Sequence, residues 1–329
     1  MSTQLESGLP QKLVVVVGAT GGQGGSVINR LLTDGSYRLR GITRNPQSNG
    51  SQALTAKGVE MVTADLNDIE SVRAAFKDAN IIFAFTNFFE AFATSGPEVA
   101  MQVEYAQGVN LAKAASATTS LEHFIWSTLP DRKATSNGKW AVPHCDAKAQ
   151  VDVFIKKNKV LLAKTTFLWT GLFAEIMNYP MFVPNLLKSS GKYIWLQPAP
   201  PSTPVFTIGD HTINIGHFVY AIIQQPNLTL LGKYVFATTE TTTMGKLLDH
   251  WSEITGKETE YVQISLEDYD RLWPMWGMEV GRDLRYWDEF GAESWGSEKW
   301  IGKEELGLAL EELVGFHDAL VALLESPHN

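Results

Sequence analysis

The chain has 329 residues, enough for one large α/β unit or two lobes around a sizeable core. Hydrophobic residues make up 44 %, and 27 basic against 36 acidic side chains leave a net charge of −9 with no long basic run, which argues against direct binding to nucleic acid. The single cysteine, Cys145, excludes an internal disulfide, no apolar run approaches a membrane span, and Met1 to Gln11 is polar, so a cytoplasmic protein is expected, or a partly nuclear one if it is a regulator.

The first informative stretch is Val14-Val15-Val16-Val17-Gly18-Ala19-Thr20-Gly21-Gly22-Gln23-Gly24. Four β-branched residues predict a buried strand over Leu13–Val17, and the glycines lead into an amphipathic helix over Gly24–Thr33. This is the first βα turn of a dinucleotide-binding fold, spaced G-x-x-G-x-x-G. Gly18 allows a positive φ, Gly21 allows backbone N–H groups to approach a pyrophosphate, and Gly24 allows the helix to pack close to the strand. Thr20, Gly22 and Gln23 complete the expected cradle.

Strands at Tyr37–Thr43, Glu60–Thr63, Ile81–Phe85, His123–Ser127 and Leu161–Phe167 alternate with helices at Ile69–Phe76, Glu98–Ala117 and Ala147–Lys157. The alternation predicts an α/β fold: a doubly wound parallel Rossmann sheet of order 3-2-1-4-5-6, with its ligand over the carboxyl ends of the strands. Where NAD readers carry an acid at the end of the second strand, this chain has Thr43-Arg44-Asn45. A guanidinium there can hold a 2′-phosphate bidentately, so NADP(H) is the expected cofactor. Asp65 and Leu66 follow the third strand, where the carboxylate can accept from an adenine amino group or open a helix. Thr86, Asn87 and Phe88 follow the fourth strand and face the ribose and nicotinamide by position. Phe89 walls the nicotinamide side or joins the core.

After residue 168 the pattern breaks into short strands (Val205–Thr207, Lys233–Thr238, Glu260–Ile264) and helices (Ile213–Gln224, Thr243–Thr255, Ser265–Leu272, Leu308–Leu324). Eight of the ten tryptophans lie here. This predicts a smaller α+β lobe over 169–329 beside a nucleotide-binding domain over 1–168, with the lobes free to interleave. Trp169 and Phe173, four apart, stand either on one wall of a substrate pocket or in the core.

The segments Gly18–Val27, Thr43-Arg44-Asn45-Pro46, Thr86-Asn87-Phe88-Phe89-Glu90 and His144-Cys145-Asp146-Ala147-Lys148 resemble the NmrA-like family, atypical relatives of the short-chain dehydrogenases/reductases. The resemblance implies an NADP-binding lobe with a smaller C-terminal lobe. It also implies either a reductase or an NADP(H)-sensing regulator that binds a protein partner. Typical short-chain reductases use Ser, then Tyr-x-x-x-Lys. By that likeness Lys148 holds the nicotinamide ribose, Ser127 or Thr128 matches the serine region, and His144 stands at the tyrosine position. Histidine can donate a proton, with an ordinary pKa of about 6.5, but a neighbouring ammonium would depress that value. In the blander reading Lys148 only binds ribose and His144 only caps a helix. Cys145 adjoins these groups, and a cationic neighbour would lower its thiol pKa.

Two functions follow as expectations. The first is an NADPH-dependent reductase of a small apolar or aromatic carbonyl or conjugated substrate, with His144, or a water held by Ser127 or Thr128, as proton source. The second is a non-enzymatic redox sensor. No metal and no membrane contact are expected, and a homodimer is compatible with the sequence.

Overall fold

The computed structural model describes residues 11–325, so most of the polar N-terminal stretch lies outside the described residues. The first half runs β1 (Leu13–Val16), α1 (Gly22–Asp34), β2 (Arg38–Thr43), α2 (Asn49–Ala56), β3 (Glu60–Thr63), α3 (Ile69–Ala75), β4 (Ile81–Ala84), α4 (Phe88–Ala117), β5 (His123–Thr128), α5 (Arg132–Thr135), α6 (Pro143–Lys157), α7 (Lys159–Leu162) and β6 (Thr165–Thr170). The second continues with β7 (Leu172–Phe173), β8 (Asn185–Leu187), β9 (Lys192–Gln197), β10 (Pro204–Gly209), α8 (His211–Gln224), α9 (Pro226–Thr229), β11 (Lys233–Ala237) and β12 (Glu240–Thr243). It closes with α10 (Met244–Thr255), β13 (Thr259–Gln263), α11 (Leu266–Leu272), α12 (Trp276–Phe290), β14 (Trp300–Ile301) and α13 (Phe316–Glu325).

The main sheet has the order β3-β2-β1-β4-β5-β6-β11-β14. Its first six strands follow the expected order. Two further strands come from beyond residue 169 and pair in parallel: β11 on β6, β14 on β11. Both halves of the chain therefore contribute strands to one continuous sheet. Two small sheets, β12-β10-β7 and β13-β9-β8, build the rest of the second lobe. Among the described residues no helix is long and apolar enough to cross a membrane.

Strand alternation divides the core. Leu13, Val15 and Val17 pack into one apolar cluster and Val14 and Val16 into another, as side chains of period two must on a sheet covered on both faces. Each fully buried valine contributes about 1.5–3 kcal/mol, so the four-valine run is strongly held in register. Gly18 takes φ +61, and a Cβ on Gly24 would meet Gly18 O at 2.3 Å. The turn and the close helix approach thus each require glycine.

Several boundaries differ from the sequence reading. The sixth strand begins at Thr165, not Leu161, because Asn158 caps the short helix α7 by accepting from Leu161 N at 3.2 Å. Helix α4 begins at Phe88, where Asn87 Oδ1 accepts from Phe89 N at 3.2 Å. It is broken at Gly96 (φ +78) ahead of Pro97, so the expected helix from Glu98 is its second part. The last helix starts at Phe316 rather than Leu308. Helix α12 carried no expectation.

On β5, Trp126 and Thr128 point toward α6, where the buried Asp152 carboxylate accepts from Trp126 Nε1 (3.0 Å), Thr128 Oγ1 (2.7 Å) and Tyr234 OH (3.0 Å). Burial raises Asp152 to about 7, while the donors around it pull the other way. Thr128 is therefore a structural residue, 1 % exposed. Thr128→Val, which takes one donor from this carboxyl group, should lower stability by about 1–3 kcal/mol and leave nucleotide binding unchanged. Urea denaturation and calorimetric titration check both halves; a loss of nucleotide binding at unchanged stability would return Thr128 to the site.

Candidate active site

The parallel sheet brings its loops to one edge, and the expected nucleotide residues gather there in chain order. Gly18, Thr20, Gly21, Gly22, Gln23 and Gly24 follow β1 and open α1. A Cβ on Gly21 would have only Gly18 O nearby, at 3.4 Å, so this face of the turn has room beside it. Gln23 Oε1 accepts from Ser127 Oγ at 3.0 Å, which ties the turn to the end of β5.

At the end of β2, Thr43 Oγ1 accepts from Asn45 N at 3.2 Å and shapes the loop that presents Arg44. Arg44 is 77 % exposed and pairs with Glu90 on the first turn of α4. Asp65 Oδ1 accepts from Asn67 N and Asn67 Nδ2, both at 2.9 Å, while Asp68 caps α3. Leu66 O accepts from Asn110 Nδ2 at 2.9 Å, and its side chain packs on the core.

The Thr86 hydroxyl is turned inward. It donates to Glu104 Oε1 at 2.8 Å. Lys148 Nζ donates to Glu104 Oε1 (2.7 Å), Thr86 O (2.8 Å) and Thr86 Oγ1 (3.1 Å), so all three ammonium protons have acceptors within the protein.

His144 shares α6 with Lys148 but faces another partner. Helix α12 lays two carboxylates, Glu279 and Asp283, against the first turn of α6. Glu279 Oε1 accepts from His144 Nδ1 at 2.7 Å and from His144 N at 2.9 Å. Asp283 Oδ2 is 3.9 Å from His144 Nε2, and its other oxygen accepts from Arg132 Nε at 3.1 Å. Burial works to lower the His144 pKa, but the Glu279 carboxylate hydrogen-bonded at Nδ1 works against it, and the imidazole stands well above its ordinary value. The depression expected from Lys148 is thus overturned: Glu104 meets that ammonium, and Glu279 sets the histidine. Burial pushes the Cys145 thiol up, so it is a protonated group and not the activated thiolate a cationic neighbour would have made.

His144 opens onto a cavity of about 220 Å³ whose wall is mostly apolar, including Phe89, Phe173, Ile176, Phe182, Trp276 and Leu284, with the charged side chains Arg132, Glu175 and Asp283 among them. Phe89 stacks on Trp276 (5.6 Å, 11°) and lies 5.3 Å from the imidazole. Of the three residues expected on the pocket wall, Trp169 is absent; Lys148, Ser127 and Thr128 also lie off it, as does Phe88, which was expected at the nicotinamide. Phe88 is 2 % exposed and packs with Phe92 and Ala100 inside the fold. Trp169 is 2 % exposed and packs on Tyr234 (4.4 Å) and Trp295 (6.2 Å) in the core beneath the sheet. Trp169 and Phe173 lie on consecutive strands, β6 and β7, so helical spacing does not apply to them.

Glu279 and Asp283 escaped the sequence reading. Their signal was an i, i+4 acidic pair on a segment whose apolar residues, Val280, Leu284 and Trp287, also recur at helical spacing. The five aromatic residues from Trp273 to Phe290 obscured that period.

Comparison with known proteins places this geometry in a family. The profile of the NmrA-like family matches residues 10–306. An NmrA-like family domain-containing protein of Dictyostelium discoideum is 26 % identical over 314 residues, 94 % of this chain and 97 % of the relative. An NmrA-like family domain-containing oxidoreductase of Aspergillus hancockii is 27 % identical over 271 residues, 79 % of this chain and 77 % of the relative. Among solved structures, NmrA, a negative transcriptional regulator, in complex with NADP superposes with a TM-score of 0.71 at 21 % identity over 95 % of each chain. With the family profile matched across the sheet, the glycine turn and the cavity alike, the chain belongs to the NmrA-like family.

Proposed function

We propose that this protein is an NADP(H)-dependent oxidoreductase that reduces a small apolar or aromatic carbonyl or conjugated compound. The observation that carries the reading is His144, held as an acid by Glu279 on the wall of an apolar cavity. The residues at the sheet edge fit the cofactor. Gly18 has the positive φ the turn needs, Gly21 leaves open space, and Arg44 stands exposed where a 2′-phosphate would lie. Because the Arg44–Glu90 pair is exposed, it is worth at most about 1 kcal/mol, so a phosphate can displace the carboxylate. Thr43, Asn45, Asp65 and Leu66 shape the adenosine end, and Asn87 with the backbone at Thr86 the nicotinamide end.

NADPH, when bound, supplies a hydride. The chain supplies the proton and the dry space. With Nδ1 committed to Glu279, Nε2 of His144 is the proton left to give to a substrate oxygen. Arg132, 1 % exposed and paired with Asp283, keeps that second carboxylate neutralised beside the donor. A cavity of about 150 Å³ holds benzene, so about 220 Å³ suits one or two small rings. The oxidoreductase name of the Aspergillus hancockii relative supports this reading. One observation favours the alternative, an NADP(H)-sensing regulator acting through a protein partner: Lys148, which should hold the ribose, is fully engaged by Thr86 and Glu104. The likeness to NmrA, a negative transcriptional regulator, points the same way.

Following NADPH absorbance across aromatic aldehydes, quinones and enones tests the enzyme. His144→Gln, whose amide can still donate to Glu279, should lower kcat by about 10²–10⁴-fold with NADPH affinity little changed. Turnover at the wild-type rate in that variant would remove His144 from the chemistry. The acid form is the active one, so wild-type turnover should fall as pH rises through the raised His144 pKa, above about 6.5. Glu279→Gln, which takes away the charge holding that proton, should move the fall to lower pH. If the protein is a regulator, cofactor binds and no substrate in the panel is turned over.

Arg44→Ala should weaken NADP(H) by roughly 10- to 100-fold, the loss of about 1.5–3 kcal/mol for a charge-assisted phosphate contact. NAD(H) should be little affected. Equal wild-type affinity for NAD(H) and NADP(H), by calorimetry, would sink the assignment of Arg44 to the 2′-phosphate.

A further inference from the structure

His211, the first residue of α8, lies where the second lobe meets the glycine turn. Helices α1 and α8 run side by side in the same direction. Ser26 Oγ accepts from Gly216 N at 2.7 Å and donates to Ile213 O at 2.9 Å, and further along Tyr220 OH donates to Asp34 at 3.0 Å. Gly216 permits this approach, since a Cβ there would fall 2.3 Å from Ser26 O. Both N-termini therefore open at the same place. At that place a Cβ on Gly22 would fall 2.2 Å from His211 Nε2 and 2.7 Å from Cδ2, so the imidazole edge rests on the turn itself.

The ring is 8 % exposed and stacks on Phe173 (4.3 Å, 3°), and Nε2 lies 3.3 Å from Glu175 Oε2. Phe173 and Glu175 both line the cavity. Gly21, the N-cap of α1, has no side chain to satisfy the first-turn N–H groups. A buried imidazole edge and a set of uncapped helix donors thus share one spot, and the Glu175 carboxylate faces it.

We propose that His211 Nε2 donates to the diphosphate of the dinucleotide, and that Glu175 holds this donor until the cofactor enters. The proposal rests on the reading of the glycine turn as the diphosphate site. Burial holds the imidazole below its ordinary pKa, so it acts as a neutral N–H donor. A buried donor is costly to leave unmade, so one anion must replace another. Glu175, 52 % exposed, can give way to solvent readily. The exchange frees a cavity-lining carboxylate only when cofactor is bound, which links the two ligand sites through one side chain.

Calorimetric titration with NADPH and with adenosine 2′-monophosphate, which has the 2′-phosphate but no diphosphate, tests this. His211→Phe keeps a ring on Phe173 and removes the donor. It should weaken NADPH by about tenfold and leave the monophosphate unchanged. His211→Gln, which restores an N–H donor, should recover most of the loss, and Glu175→Gln should tighten NADPH binding. Unchanged NADPH affinity in His211→Phe, equal losses for both ligands, or Gln no better than Phe would overturn the proposal while leaving the glycine turn as the cofactor site. Failure of the wild type to bind NADPH would overturn both.

Discussion

Everything distinctive about the site depends on one buried carboxylate. Glu279 is 3 % exposed, and removing a carboxylate from water costs several kcal/mol unless it is met by charge and hydrogen bonds. His144 meets it twice, through Nδ1 and through its backbone N–H. The pairing docks α12 of the second lobe onto α6 of the first, closes one side of the cavity and determines which protonation state the imidazole keeps. The site acid and the lobe contact are therefore one interaction. Asp283, one helical turn further along, repeats the device with Arg132, whose guanidinium also lies over the rings of Tyr286 (4.6 Å) and Trp295 (5.1 Å).

A second buried pair works beside it without touching it. Lys148 and Glu104 join α6 to α4, and Thr86 joins both to the end of β4. His144 and Lys148 sit four residues apart on one helix, yet each has its own acid. Separate neutralisation is what allows an ammonium and a raised histidine to coexist on neighbouring turns: each positive charge is satisfied locally, and the repulsion between them is small by comparison.

Both halves of the chain build the main sheet. β11 and β14 extend the main sheet from the second half of the chain, so β6, which carries Thr170 of the cavity wall, lies inside that sheet and not at its edge. Trp169 shows the consequence. Its strand, β6, is flanked by β5 and β11, and alternation sends its indole under the sheet to pack with Tyr234 and Trp295. Phe173, just past the strand, turns onto the cavity instead.

The sequence by itself determined the glycine turn, the doubly wound order of the first six strands, the two faces of the core and the arginine at the end of β2. Each of these is a local matter: a β-branched run, a glycine where no Cβ fits, or a fixed period of apolar residues. What only the tertiary structure decided were the partners. Thr128 and Trp169 lost their places in the site because strand alternation gave them to the core. Phe88 was lost to the helix that Asn87 caps. His144 gained its acid from a residue 135 positions away, and His211 met Gly22 across a helix pair that no local pattern announces. Charge state and proximity arise from groups distant in the chain, and burial, which sets how strongly they act on one another, exists only once the lobes have closed.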